Sequence, residues 1–160
     1  MKLGLLSDSH GRSARTRAAV ERLRGLGAER LLHLGDVETE AVLDQLAGIP
    51  ASIVFGNNDD ERQLGRYAAS LGLEVLHPMG RLELLGQRIG FTHGHIGSCM
   101  AAAEREGFHW FFPGHTHRRR DVMAGGTRIV NPGALHRADA FTVAVVDLAA
   151  GRVSFEEIPP

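Results

Sequence analysis

The 160-residue chain has one cysteine, one lysine, one tryptophan and one tyrosine. A single thiol, Cys99, rules out an internal disulfide and is compatible with a reducing compartment. It lies in "IGSCMAAAER", which reads as a helix start, so a small buried residue is expected there rather than a reactive thiol. No apolar run approaches the length of a membrane span, and "MKLGLLSDSH" has too short an apolar stretch for a signal peptide. The expected location is therefore the cytoplasm, with no membrane partner. A formal net charge of −1 gives no bulk attraction to nucleic acid, and no basic–aromatic surface pattern suggests one. A homo-oligomer is neither required nor excluded. No linker, internal repeat or low-complexity segment interrupts the chain. Residues 1–160 read as one domain, long enough to bury a core.

The first half alternates between two patterns. "KLGLLS" (2–7), "RLLHLG" (30–35) and "ASIVFG" (51–56) are short apolar runs of the kind found in buried strands. Between and after them lie helical patterns over 12–26, 37–48 and 60–70, the first with Ser13 as its expected N-cap. Strand–helix–strand repeats predict a parallel sheet with right-handed crossovers. The second half is richer in strands. "RLELLG" and "QRIGFTHG" meet in a hairpin at Gly86-Gln87, a helix spans about 97–106, and "HWFFPG", "RDVMAGGTRIVN", "AFTVAVVDL" and "GRVSFEEI" follow. The expected fold is α/β, parallel early and mixed or antiparallel late, with two packed sheets and helices outside.

Five of the apolar runs stop at metal-capable groups: Asp8 and His10, Asp36, Asn57 to Asp59, His93 and His95, and His115 and His117. Glycines 11, 35, 56, 94 and 114 flank them. On an extended backbone His115 and His117 point to the same side. Singly, each of these groups reads as a cap, a turn residue or a solvated histidine. Their recurrence at five strand ends points to one shared centre, because ligands in α/β sheets bind beyond the carboxyl ends of the strands. Asp8, His10, Asp36, Asn57, His93, His115 and His117 make seven donors. That exceeds the four of a structural zinc and suits two ions about 3.5–4 Å apart sharing a carboxylate. Nitrogen and oxygen donors without thiolate suit divalent Mn, Fe, Ni, Co or Zn.

The motifs "SDSHG" (7–11), "GD" (35–36), "GNND" (56–59), "THGH" (92–95), "GHTH" (114–117) and "NPGA" (131–134) together resemble the calcineurin-like metallophosphoesterase superfamily. Within it they resemble the small single-domain bacterial and archaeal phosphodiesterases. The resemblance implies a four-layer α-β-β-α sandwich, with two mixed sheets face to face and helices outside. It implies a dinuclear hydrolase acting on a small phosphoester, with manganese slightly favoured and a hydroxide bridging the two ions as nucleophile. By the same likeness Asp8, His10 and His117 hold one metal, Asn57, His93 and His115 hold the other, and Asp36 bridges them. The resemblance also carries an alternative, because the fold serves as a non-enzymatic protein-binding scaffold in eukaryotic sorting coats. There the ligand set is typically eroded, whereas here all seven donors are present.

Two positions depart from the family pattern. Many members have histidine where Asn58 stands, and an amide cannot act as an acid, although it can hydrogen-bond a phosphate oxygen. His95 is then the next candidate for leaving-group protonation or phosphate contact, with a structural role equally open. His136 and Arg137 replace the serine and Pro-Arg of many relatives. Arg118, in "RRRD", is a candidate phosphate contact, against the commoner outcome of an exposed charge run. His33, inside an apolar run, reads as a core residue. His77 and His109 read as ordinary turn or strand-start residues, and Asp59 as a turn or supporting residue.

Overall fold

Short apolar runs bounded by glycine and polar residues become strands buried on both faces, and these organise the molecule. The computed structural model describes residues 1–160. In chain order the elements are β1 (Lys2–Leu6), α1 (Ser13–Gly25), β2 (Arg30–His33), α2 (Glu40–Asp44), β3 (Ala51–Ile53), α3 (Glu61–Ser70) and β4 (Glu74–Val75). There follow β5 (Met79–Leu84), β6 (Gln87–Thr92), α4 (Gly97–Arg105), β7 (Trp110–Pro113), β8 (Arg120–Ala124), β9 (Thr127–Asn131), β10 (Thr142–Asp147) and β11 (Arg152–Glu157).

One sheet has the order β11-β10-β1-β2-β3-β4, the other β5-β6-β7-β9-β8. In the first, β1 to β4 run parallel while β10 and β11 add antiparallel strands at one edge. In the second, β6, β7 and β9 are parallel, flanked by antiparallel β5 and β8. Leu3, Leu5, Leu32 and Val54 of the first sheet and its strand ends pack against Ile89, Phe91, Trp110 and Phe112 of the second. Full burial of such side chains contributes about 1.5–3 kcal/mol each. The outer face of the first sheet is covered by α1 to α3 through Leu23, Val42, Leu43 and Leu64. The outer face of the second is covered by α4 through Cys99, Ala102 and Ala103 against Phe108 and Phe111. The result is the expected α-β-β-α sandwich of two mixed sheets. No helix is long and apolar enough to cross a membrane.

Four local features differ from the sequence reading. Ser13 is the first helical residue of α1, and the N-cap is Arg12 without a side-chain cap bond. Regular helix in α2 starts only at Glu40, because Glu38 takes a left-handed φ of 65° and gives its N–H to Asp59. β3 ends at Ile53, since the Phe55 N–H turns to His77 Nδ1. The hairpin turn is centred on Leu85-Gly86, both at positive φ, one residue before the expected place.

Candidate metal centre

β1, β2 and β3 of one sheet and β6 and β7 of the other deliver their carboxyl ends to the same edge of the sandwich. The loops leaving them carry all seven candidate donors, and the structure brings all seven together. Asp8, His10 and His117 form one group, and Asp36, His93 and His115 another, with one ligand atom per residue inside 4.8 Å of the others. In the first, His117 Nε2 lies 3.1 Å and His10 Nε2 lies 3.8 Å from Asp8 Oδ1. In the second, His93 Nε2 stands 3.2 Å from both His115 Nδ1 and Asn57 Oδ1. Asp36 lies between the groups, its Oδ2 being 3.4 Å from Nε2 of both His10 and His93.

The surroundings set which atom each residue presents. His10 Nδ1–H donates to Glu38 Oε1 (2.6 Å), His93 Nδ1–H to the Leu34 carbonyl (2.7 Å) and His117 Nδ1–H to the Arg137 carbonyl (3.1 Å). These acceptors fix the tautomers and turn three Nε2 lone pairs inward, as in metal sites generally. Asp8 Oδ2 accepts from Ser7 Oγ–H at 2.6 Å and from the His115 backbone N–H at 3.1 Å. Its Oδ1 and His10 Nε2 remain buried with no hydrogen-bond partner. Leaving a buried polar atom unpaired costs about 1–3 kcal/mol, more when it is charged. Two such acceptors facing one space fit a cation.

Backbone geometry supports the same reading. Eight non-glycine residues have positive φ, and five of them are Asp8, His10, Asp36, His115 and His117. Such strain persists where the surrounding structure imposes it, and it concentrates at functional sites. Gly56 makes room for Asp36, since a Cβ there would stand 2.1 Å from Asp36 Oδ1.

Charge is concentrated on the two aspartates. Burial would raise the Asp36 carboxyl, but the neighbouring His93 ring and hydrogen bonds from Asn58 override it and hold the group well below the usual carboxylate range. The Asp8 carboxylate raises His117, and Asp36 raises His93 in spite of burial. Asn58 donates its backbone N–H to Asp36 Oδ1 at 3.0 Å and its side-chain Nδ2–H to Oδ2 at 2.9 Å. Its amide is therefore engaged with the carboxylate between the two groups. The His95 ring is exposed, its centroid 5.3 Å from that of His93. Partial desolvation together with the neighbouring His93 and His115 lowers its pKa. Arg118 is exposed and faces a groove with Arg119, Ala138, Asp139 and Thr142 beside His117.

His33 is fully buried, and His109 accepts the Arg88 N–H on the surface. Asp59 ties two site loops together by accepting the Gly56 and Glu38 N–H groups. Glu38 and Ser7 are the residues sequence reasoning missed as supports of the ligands. Glu38 stands two positions after Asp36, and that proximity was the one available signal.

Comparison with known proteins adds an independent line. The family model described as the calcineurin-like phosphoesterase superfamily domain matches residues 1–151. A phosphodiesterase of Methanocaldococcus jannaschii is 29% identical over 138 residues, covering 83% of each chain. The structure of an archaeal phosphodiesterase superposes with a TM-score of 0.88 at 24% identity, over 98% of this chain and 99% of that one. A single mutant of Vps29 from Entamoeba histolytica superposes with a TM-score of 0.69 at 19% identity over the whole of both chains. These two likenesses are of fold, and fold leaves function to be argued from the site.

Proposed function

Since the chain belongs to the calcineurin-like phosphoesterase superfamily, we propose that it is a metal-dependent phosphodiesterase working with two divalent ions on a small phosphoester. The observation that carries this reading is Asp36 Oδ2, equidistant at 3.4 Å from the inward nitrogens of His10 and His93. Asp8, His10 and His117 would hold one ion, Asn57, His93 and His115 the other, and Asp36 both. The nitrogen and oxygen donors suit Mn, Fe, Ni, Co or Zn, with Mn favoured. Bound there, such ions acidify water toward neutral pH and neutralise phosphoryl oxygens.

The chain's own residues supply placement and proton traffic. Asn58 keeps Asp36 ionised and fixed between the two groups. Glu38 orients His10, and Ser7 with the His115 N–H holds Asp8 so that Oδ1 faces inward. No serine or cysteine is placed as a nucleophile. Asn58 has no proton to give, which leaves His95 or a metal-bound water as the candidate acid for the leaving alcohol. With an amide in place of a strong acid at Asn58, esters of acidic alcohols, which need least protonation, are the favoured substrates.

The test is elemental analysis together with hydrolysis of nitrophenyl and alkyl phosphodiesters, with Mn, Ni, Co, Mg or Zn added. Up to two ions per chain, reversible inactivation by chelator and faster cleavage of nitrophenyl esters are expected. Asp36→Asn should lower kcat/KM by about 100-fold or more, whereas the distant surface change His109→Ala should not. Absence of both bound metal and metal-stimulated hydrolysis would overturn the reading.

A further inference from the structure

Next to the Asp8–His10–His117 group lies a pair of side chains that the proposed hydrolysis does not use. Arg12 Nε is 3.4 Å from His136 Nδ1. The His136 ring centroid is 5.2 Å from that of His10, so the pair lies one ring beyond a proposed ligand. Arg12 is exposed and takes no part in any ion pair with a carboxylate, unlike Arg22, Arg30, Arg81 and Arg128. The neighbouring backbone is fixed, because Arg15 donates to the Leu135 carbonyl at 2.6 Å and lies 3.6 Å over the Phe141 ring.

Arg12 donates one N–H to the neutral His136 ring and carries a positive charge that no ion pair answers. Divalent ions at His10 would add further positive charge. An exposed guanidinium at the mouth of such a centre attracts anions. The orientation suits one. His136 Nδ1 faces the Arg12 N–H, which leaves Nε2–H as a donor, and the guanidinium keeps further N–H groups free for a carboxylate or phosphate fork.

We propose that Arg12 and His136 form an anion-recognition subsite beside the metal centre, selecting phosphodiesters whose second alcohol arm carries a further anionic oxygen group, a carboxylate or a phosphate. This rests on the phosphodiesterase reading for its substrate, but the subsite can be tested without turnover.

The probes are propylphosphonate and 3-phosphonopropionate, which have the same phosphonate and differ in the terminal carboxylate. Their binding to manganese-loaded protein is measured by calorimetry. The unmodified protein should bind the carboxylate-bearing ligand about tenfold tighter. Arg12→Ala and His136→Ala should each bring the two affinities close to parity, while Arg12→Lys keeps part of the preference. Arg12 is exposed, so its variants retain the fold, which circular dichroism checks. No preference in the unmodified protein, a preference that survives Arg12→Ala, or failure of both phosphonates to bind would each overturn the subsite. In parallel, nitrophenyl diesters with an ethyl or a 2-carboxyethyl arm are compared as substrates. If the phosphonate preference holds but neither diester is hydrolysed, the subsite stands and the phosphodiesterase reading falls. If both diesters are hydrolysed alike and the preference is absent, the reverse is true.

Discussion

His33 shows how much one side chain can report about the ground beneath the site. Its Nδ1 accepts the Gly35 N–H at 3.2 Å, and its Nε2–H is left to meet Ser9 Oγ at 2.8 Å. A second ring proton would face a backbone N–H that already points at that nitrogen. Burial, the largest cause, lowers its pKa from 6.5 to about 4. The unfolded chain therefore binds a proton at higher pH than the folded one. Stability is fully present above pH 6.5, falls as pH drops toward 4, and is constant below. The shift corresponds to about 3 kcal/mol across that window. Denaturant unfolding of metal-free protein between pH 7 and 4 should show this loss, and His33→Gln should be less stable at pH 7 with a distinctly flatter dependence. An equal slope in the variant would remove His33 as the cause. The interior position of His33 was legible in sequence from its apolar flanks, and so was the gathering of the seven candidate donors at one edge, each at the end of a buried run. Glu38 was not legible. In "GDVETE" it is one acid among others, and only a φ of 65° brings its carboxylate to His10.

Elements were legible where hydrophobic pattern alone decides them, as in β1, β2, β6 and β7. They were not where tertiary contacts decide. β4 is two exposed residues, Glu74 and Val75, held by pairing with Ser52 and Ile53 rather than by any pattern of its own. The first turn expected for α2 is given over to Glu38 and its contacts with Asp59 and His10. The β5–β6 hairpin was legible as a hairpin but not in its centre. Positive φ at both Leu85 (53°) and Gly86 (70°) is the signature of a type I′ turn, whose first position favours asparagine. Leu85 is 59% exposed, so it contributes little burial in return for its left-handed backbone. Leu85→Asn should therefore stabilise the protein by about 0.5–1 kcal/mol, a range usual for relief of turn strain. Thermal unfolding should register a rise of about 1–4 °C for a chain of this size. A fall in midpoint would show that the leucine packs in a way its exposure does not suggest.

At the scale of the whole molecule, the candidate centre joins the two sheets. Asp8, His10, Asp36 and Asn57 leave strands of the first sheet, and His93, His115 and His117 leave strands of the second. Between the sheets the contact is apolar and continuous, built from side chains such as Leu5, Leu34, Phe91 and Phe112. At this edge the apolar layer gives way to two carboxylates, and Asp8 Oδ1 and His10 Nε2 are left without partners. Without a cation these two buried, unpaired atoms carry a desolvation cost, which separating the sheets relieves. An ion bound across the edge opposes that separation, because ligands drawn from both sheets are held together only in the folded state. A ligand that binds the native state alone stabilises it by about 4 kcal/mol at a thousandfold excess over its dissociation constant. For a domain of this length that corresponds to about 8–16 °C in midpoint. Manganese should therefore raise the unfolding midpoint in a concentration-dependent manner, and a chelator should reverse the rise completely. His10→Ala and His115→Ala, one from each sheet, should each remove a large share of it, while His109→Ala leaves it intact. If the shift survived in both ligand variants, manganese would be acting elsewhere on the surface, and the centre would not be what links the sheets.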